Sequence, residues 1–219
     1  MKLSKILYES AEEIWKSYLK HPFVKELGEG TLSPKKFRFY MLQDYLYLLE
    51  YSKVFALGVI KSKEEELMRK FAAMVHHTLD GEMKIHKIYM ERLGISKQEI
   101  KEAKQSLANR SYTSYMMDVS YNGDTLDVLV AILSCAWSYQ VIGEHHSKIE
   151  NALQHPLYGE WIKGYSSEEY RKDTQELIDL TDTLGEGISQ KRIEELKTIF
   201  INCSRYEYAF WDMSYKKEM

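Results

Sequence analysis

The chain has 219 residues, of which 44% are hydrophobic and 29% charged, with a net charge of -3 and an isoelectric point near 6.2. A chain of this length buries a core large enough to need no disulfide or structural metal. The slight acidity and the lack of a basic stripe argue against a nucleic-acid partner.

The amino-acid sequence also argues against export and against a membrane location. No apolar run approaches the roughly 18 residues of a membrane span, and the N-terminus mixes charged with apolar residues. The two cysteines, Cys135 and Cys203, do not make a disulfide framework, and the seven scattered histidines match no zinc spacing. We therefore expect a cytoplasmic protein with no metal site.

Apolar residues recur at intervals of three and four, which predicts an all-α protein. The predicted helices cover, in chain order, residues of about 3–18, 34–60, 62–94, 96–107, 109–121, 124 to before His155-Pro156, 166–184 and 189 to the C-terminus. With a short helical turn before Gly28, they amount to roughly nine helices in a single-domain bundle over residues 1–219.

Local signals set the boundaries of these helices. Ser33 reads as an N-cap, with Pro34 at the first helical position. Three Ser-x-x-Glu capping boxes are predicted to open other helices; they are Ser62 with Glu65, Ser96 with Glu99, and Ser166 with Glu169. Asp124 caps a helix that is apolar all round, which predicts a central position for it.

Four residues of the helix that follows Pro34 share one face, because their spacing is four, three and four. They are Tyr40, Asp44, Tyr47 and Tyr51. The stripe is either a partly exposed face whose hydroxyls reach water or a polar binding surface, and the pattern alone leaves both interpretations open.

Two other positions place a reactive side chain among aromatic ones. Cys135 precedes Tyr139 by one turn, and it is either a small buried hydrophobe or a nucleophile. Glu207 lies in an aromatic run on the last helix. It is either a surface residue or an acid in an apolar pocket, where burial would raise its pKa and suit it to proton transfer. Cys203 is assigned a structural role.

The histidines give a weaker candidate for a site. His76 and His77 precede Glu82 and His86, which are four residues apart. A di-iron carboxylate bundle needs Glu-x-x-His pairs, and the sequence contains none. We interpret this region as a solvated helix face rather than a metal site.

Taken in order, these segments resemble the TenA family. The likeness rests on Gln-Asp-Tyr-Leu-Tyr-Leu around Asp44, Leu-Ser-Cys-Ala-Trp-Ser-Tyr around Cys135, the segment beginning at Trp161, and Glu207 before Phe-Trp-Asp-Met. The resemblance implies a heme-oxygenase-like helical fold, assembled as a homotetramer. It also implies hydrolysis at the carbon that joins an aminopyrimidine to its leaving group, which is the thiazolium of thiamin or the amine of aminomethyl-aminopyrimidine.

The resemblance further assigns roles to single residues. Cys135 is the nucleophile that adds to the pyrimidine ring, Glu207 is the acid and base for the leaving group and water, and Asp44 hydrogen-bonds the pyrimidine. The aromatic positions that pack on or hydrogen-bond the substrate are Tyr47, Tyr112, Tyr139 and Tyr165. The reaction implied requires no metal or organic cofactor.

The chemistry of a thiol agrees with this division of roles. A free thiol has a pKa of about 8.5 and is mostly protonated at neutral pH, so a cysteine nucleophile needs a nearby base or polar partner. Glu207, supported by Tyr139, is the expected partner.

Two alternative functions fit the same chain. The first is another enzyme of the heme-oxygenase-like fold, oxidising heme or a cofactor, since a fold does not determine a function. The second is a non-enzymatic pyrimidine-binding regulator, although the acidic isoelectric point argues against direct contact with DNA. The sequence does not distinguish thiamin from the aminomethyl-pyrimidine as the substrate.

Overall fold

The computed structural model describes residues 2–219, and these residues form α-helices without any strand, which confirms the all-α prediction. The helices are α1 (Leu3–Tyr18), α2 (Pro22–Gly28), α3 (Pro34–Lys61), α4 (Glu65–His76), α5 (Met83–Arg92), α6 (Lys97–Glu102), α7 (Leu107–Asn122), α8 (Thr125–His146), α9 (Gly159–Tyr165), α10 (Glu168–Leu184) and α11 (Gln190–Lys216). A π-helical segment (His77–Glu82) joins α4 to α5, and a 3-10 turn (Ala152–Gln154) precedes α9.

The chain divides into two compact units. The first contains the residues up to Leu32 together with Leu129–Trp211, and the second contains Ser33–Val128 together with Asp212–Met219. A single domain over residues 1–219 stays a prediction.

In the first unit, α1 buries one side of its amphipathic surface. Leu7, Ala11 and Trp15 on that side are shielded from solvent. The ring of Trp15 packs 5.5 Å from that of Phe200 on α11, measured between centroids. The apolar face therefore forms where the spacing of three and four predicts it.

In the second unit, α3 packs against α4 at a very small residue. A Cβ atom added at Gly58 would lie 2.3 Å from Cδ1 of Phe71, whose side chain is fully buried. Glycine at this point lets the α3 backbone approach the aromatic ring, a contact that a methyl group would prevent.

The predicted helix starts are confirmed at some serines and wrong at others. Ser33 is the N-cap of α3 with Pro34 at its start, and Ser96 forms a complete capping box with Glu99. Ser62, however, is the C-cap of α3, and its hydroxyl donates to the Gly58 carbonyl instead of opening the next helix. The remaining capping serine is Ser167, one residue beyond the predicted Ser166.

Two predicted helix extents also need correction, and one helix was missed. α6 ends at Glu102 rather than near Leu107, because the hydroxyl of Ser106 caps a new helix that begins at Leu107. The predicted helix over 62–94 is interrupted by the π segment, and α9 was not predicted. The described residues therefore contain eleven α-helices instead of roughly nine.

The central helix α8 is more apolar than the sequence analysis allowed. By length and composition it is able to cross a membrane, with a mean hydropathy of 1.5, which corrects the expectation that no segment qualifies. Within the protein, 78% of that apolar stretch is buried, as is typical of a core helix. Asp124 caps this helix as predicted, accepting from the backbone N–H of Leu126 at 2.8 Å.

We predict that Gly58→Ala lowers the free energy of unfolding by about 1–3 kcal/mol, because the new methyl group overpacks the Phe71 ring. This loss exceeds the gain of about 1 kcal/mol that alanine gives over glycine within a helix. Urea unfolding followed by circular dichroism measures the change. Gly164→Ala in α9 is the control, since nothing lies within 4 Å of its added Cβ, and it should not destabilise the protein. A Gly58→Ala protein as stable as the wild type would contradict the packing argument.

Candidate active site

The tyrosine stripe on α3, in the second unit, is buried. All four of its residues, Tyr40, Asp44, Tyr47 and Tyr51, are buried, so the interpretation as a partly exposed face is wrong. The Tyr47 and Tyr51 rings stack with their centroids 5.2 Å apart. A carboxylate on such a face needs polar partners, because an unpaired buried charge is strongly destabilising.

Asp44 finds these partners in its own stripe and on a neighbouring helix. The carboxylate is 4% exposed, and its Oδ2 accepts from the Tyr40 hydroxyl at 3.2 Å. The same oxygen lies 2.6 Å from Nε2 of His86 on α5. His86 is also 4% exposed, which corrects its interpretation as part of a solvated face, whereas His76 and His77 are exposed.

The environment of His86 acts on its pKa in opposite directions. Burial by itself lowers the pKa, but the hydrogen bond and negative charge of Asp44 raise it, with a further contribution from Glu82. The net effect is a pKa above the ordinary histidine value. The pairing with Asp44 therefore favours the imidazolium form of His86.

Two further predicted residues of the second unit contact each other. The rings of Tyr47 and Tyr112, which lies on α7, are 5.3 Å apart, and both side chains are buried. The Tyr47 hydroxyl also lies 3.7 Å from the sulfur of Met116. Asp44, Tyr47 and Tyr112 thus form one group of polar and aromatic side chains, which we call the aspartate group.

The first unit carries the predicted nucleophile on α8. Cys135 is half-buried, and Tyr139 follows one turn later. The second cysteine, Cys203, is fully buried, and burial followed by the charge of Glu207 raises the pKa of its thiol far above the ordinary range. Cys203 is therefore suited to a structural role, as predicted.

Glu207 on α11 is 2% exposed, which excludes the interpretation as a surface residue. It lies near Tyr18, a buried phenol whose pKa is raised by burial, then by the charges of Glu207 and Cys135. Both predicted catalytic residues therefore act electrostatically on the same phenol. The Tyr18 hydroxyl donates to the Ser204 carbonyl, one turn before Glu207.

A buried hydrogen-bond network supports this part of the first unit. The Trp15 indole donates to the Ser204 hydroxyl at 2.9 Å, and the hydroxyls of Ser134 and Ser204 are 3.0 Å apart. The network joins α1, α8 and α11 at residues next to Cys135 and Cys203. Because buried polar groups are costly when unpaired, the network fixes the relative positions of these helices.

Tyr139 lies in an aromatic cluster within the same unit. Its ring centroid is 4.8 Å from that of Tyr165, 5.9 Å from that of Trp161 and 5.2 Å from that of Trp211. Gly143 permits this packing, since an added Cβ would lie 2.6 Å from the backbone carbon of Tyr165. We use the name cysteine group for five side chains of the first unit, which are Cys135, Glu207, Tyr139, Tyr165 and Tyr18.

Sequence reasoning missed several members of these groups. His86 gave no signal beyond its spacing from Glu82, because its partner lies 42 residues away in the sequence. Tyr18 was predicted only to lie at the end of the first helix, and Trp161 and Trp211 only as part of the segments that resemble the family. In residues 2–219, no three or more His, Cys, Asp or Glu side chains lie close enough to share a metal ion.

Comparisons with known proteins relate the whole chain to one family. The model of the TENA/THI-4/PQQC family matches residues 8–217. The chain is 50% identical over 216 residues to the aminopyrimidine aminohydrolase of Helicobacter pylori, covering 99% of this chain and 100% of the relative.

Solved structures agree with the predicted fold. A TenA homologue protein from P. horikoshii OT3 superimposes with a TM-score of 0.91 at 30% identity, covering 99% of each chain. Heme oxygenase-1 from the cyanobacterium Synechocystis superimposes with a TM-score of 0.70 at 13% identity, over 99% of this chain and 94% of the other. The second likeness concerns the fold alone, and it confirms the heme-oxygenase-like prediction.

We predict that one thiol of the native protein reacts with a disulfide reagent such as DTNB and that this thiol is Cys135. Cys203 is fully buried, so the reagent cannot reach it. The pKa of its thiol is raised, so the reactive thiolate form is also disfavoured. Absorbance of the released chromophore measures the count before and after denaturation. Cys135→Ser should abolish the native reaction, and Cys203→Ser should leave it unchanged. Reaction of two thiols in the native protein would contradict the assignment.

Proposed function

The chain belongs to the TENA/THI-4/PQQC family, and we propose that it is a hydrolase that releases 4-amino-5-hydroxymethyl-2-methylpyrimidine in thiamin salvage. The observation that carries this proposal is 50% identity, over the full length of both chains, to an aminopyrimidine aminohydrolase. The substrates proposed are 4-amino-5-aminomethyl-2-methylpyrimidine and thiamin, which share the ring and differ in the leaving group.

Cys135 is the proposed nucleophile. Its thiolate adds to a carbon of the pyrimidine ring, forming a C–S bond and moving an electron pair onto a ring nitrogen. The returning electron pair expels the leaving group from the methylene carbon. Water then adds at that carbon, the C–S bond breaks, and the aromatic ring is restored. The partial exposure of Cys135 supports this role, since a nucleophile must be accessible to the substrate.

Glu207 is the proposed acid and base of both half-reactions. It gives a proton to the departing amine and later takes a proton from the attacking water, so it ends each cycle unchanged. Its burial supports the role, because proton transfer by a carboxyl group is favoured where bulk water is excluded. Tyr18 lies within electrostatic range of both Glu207 and Cys135.

The remaining residues of the two groups are proposed to bind the ring. Asp44 hydrogen-bonds the pyrimidine, and four tyrosines pack on it or hydrogen-bond to it. These are Tyr47, Tyr112, Tyr139 and Tyr165. A flat heterocycle is suited to aromatic side chains, whose faces stack and whose hydroxyls give direction. The reaction needs only these side chains and water, and it calls for no cofactor.

The rival enzymatic function, oxidation of heme or a cofactor, has less support. The likeness to heme oxygenase is at 13% identity and therefore concerns the fold alone. The relative with 50% identity carries the name of a hydrolase.

We further propose a cytoplasmic homotetramer. Apolar side chains of the second unit support an assembly, since Met68, Leu79, Ile85 and Ile88 are exposed and an exposed apolar surface often marks an interface. The absence of a nucleic-acid partner stays a prediction from the acidic charge.

We expect the native protein to release hydroxymethyl-pyrimidine from at least one of the two proposed substrates, as measured by chromatography. Cys135→Ala should lower the rate by roughly 10³-fold or more, because nucleophilic catalysis is lost. Cys203→Ala is the matched control and should stay within about tenfold of the native rate. The ratio of kcat/KM for the two compounds identifies the better substrate. If neither is hydrolysed while the folded protein binds the pyrimidine, the chain is a binding protein and the proposal fails.

Sedimentation equilibrium of the purified protein should give about four times the monomer mass of 25.9 kDa. Ile85→Lys together with Ile88→Lys should shift the protein towards smaller species if the apolar surface lies in an interface. A monomer at micromolar concentration would contradict the tetramer.

A further inference from the structure

His86 is a buried titratable residue for which the proposed reaction has no role. Both of its ring nitrogens face an acceptor. Nδ1 lies 3.0 Å from the carbonyl oxygen of Glu82, and Nε2 lies 2.6 Å from Oδ2 of Asp44.

The two contacts fix the number of protons on the pair. A backbone carbonyl only accepts, so Nδ1 must carry a proton. One further proton must lie between Nε2 and Oδ2, since two lone pairs at 2.6 Å would repel each other. That proton belongs either to an imidazolium beside a carboxylate or to a carboxylic acid beside a neutral imidazole. The pair has no net charge in either arrangement.

The second carboxylate oxygen of Asp44 has the same role in both arrangements. Oδ2 is occupied by His86 and by the hydroxyl of Tyr40, and no donor within residues 2–219 bonds to Oδ1. Whichever atom holds the shared proton, Oδ1 carries none. Oδ1 is therefore a hydrogen-bond acceptor, and a ligand at this oxygen must offer an N–H or O–H group.

The π segment orients the His86 side chain so that it contacts Asp44. The N–H of Met83 bonds to the Thr78 carbonyl, five residues back instead of four. One extra residue in a turn rotates the following side chains by about 100° relative to an uninterrupted α-helix. Gly81 fits inside this wide turn, where an added Cβ would lie 2.8 Å from Cδ2 of His77.

We propose that His86 is a positioning and specificity-determining residue, which holds Asp44 so that Oδ1 accepts from the exocyclic amino group of an aminopyrimidine. This inference rests on the proposed function, because it takes Asp44 as the residue that binds the pyrimidine. His86 itself does not contact the ring. It selects ligands that carry an amino group by keeping the Asp44 carboxylate oriented and its charge compensated.

A second histidine–aspartate pair provides a control for this argument. Nδ1 of His76 lies 2.7 Å from Oδ2 of Asp80, four residues on, and both side chains are exposed. Solvent screens such a pair, so it has little effect on geometry. His76→Gln therefore changes the same residue type beside an aspartate without touching Asp44.

The test compares two ligands by isothermal titration calorimetry. One is 4-amino-5-hydroxymethyl-2-methylpyrimidine, and the other is the analogue with hydrogen in place of the 4-amino group. The wild type should bind the amino compound about 10- to 100-fold more tightly, the range expected for a hydrogen bond to a charged acceptor. His76→Gln should keep this ratio.

Three variants of His86 separate orientation from overall structure. Leucine removes both hydrogen bonds of the ring, and asparagine is too short to reach Asp44. His86→Leu and His86→Asn should both bring the ratio below about threefold. Glutamine reaches Asp44 with a neutral N–H donor, so His86→Gln should keep part of the selectivity, since a neutral hydrogen bond is weaker than a charge-assisted one. Circular dichroism checks folding, and if the leucine variant does not fold, the asparagine variant decides.

Each outcome supports or overturns the inference. The inference is supported if folded His86→Leu or His86→Asn loses the preference for the amino compound and His86→Gln keeps part of it. Wild-type selectivity in those variants overturns the inference while the proposed function stands. A wild type that binds both ligands equally shows that Oδ1 does not select the amino group, which also overturns it. A wild type that binds neither ligand overturns the proposed function together with this inference.

Discussion

The second unit is arranged around the buried carboxyl group of Asp44. A carboxylate removed from water is stable only when donors and a compensating charge surround it. Asp44 obtains a hydroxyl from its own helix and an imidazole from α5, and both bond to a single oxygen. The register of α5, the wide π turn before it and the tyrosine stripe on α3 all serve this contact. Apolar packing alone would require none of these three features.

The first unit has a polar network next to its predicted catalytic acid, Glu207. Glu207 lies near the phenol of Tyr18 and the thiol of Cys203. Tyr18 and Trp15 bond to the carbonyl and the hydroxyl of Ser204, which fixes the turn of α11 before Glu207. In this unit the polar network acts on the backbone that carries the acid. In the second unit the hydrogen bonds of Tyr40 and His86 fix the orientation of the Asp44 carboxyl group itself.

The sequence predicted the helices well where the signal was local. The Ser96 capping box and the Asp124 cap formed as expected, since each depends on residues three or fewer positions apart. The Ser62 pattern is the same as that of Ser96, yet α3 continues up to it, so its hydroxyl bonds backwards to Gly58. His86 was misplaced because its environment depends on a tertiary contact and on a π turn, and neither leaves a periodic pattern. The candidate site was predicted from an ordered set of segments, whereas the physical reasons for burial became visible only in the structure.

Residue type alone would have given a poor guide to function in this chain. Cys135 and Cys203 are the same side chain, but only the first is accessible, and the second lies in a fully buried position where a thiolate is strongly disfavoured. His76 and His86 each pair with an aspartate at nearly the same distance, 2.7 Å and 2.6 Å, but only the second pair is buried. Water weakens an ion pair and competes for its hydrogen bonds, so an exposed pair is nearly free to reorient and a buried pair is not. Burial therefore decides which of two identical side chains can hold a fixed chemical role, and in this protein it selects Cys135 and His86 for opposite reasons. The nucleophile must remain accessible, whereas the residue that orients Asp44 must be shielded from water.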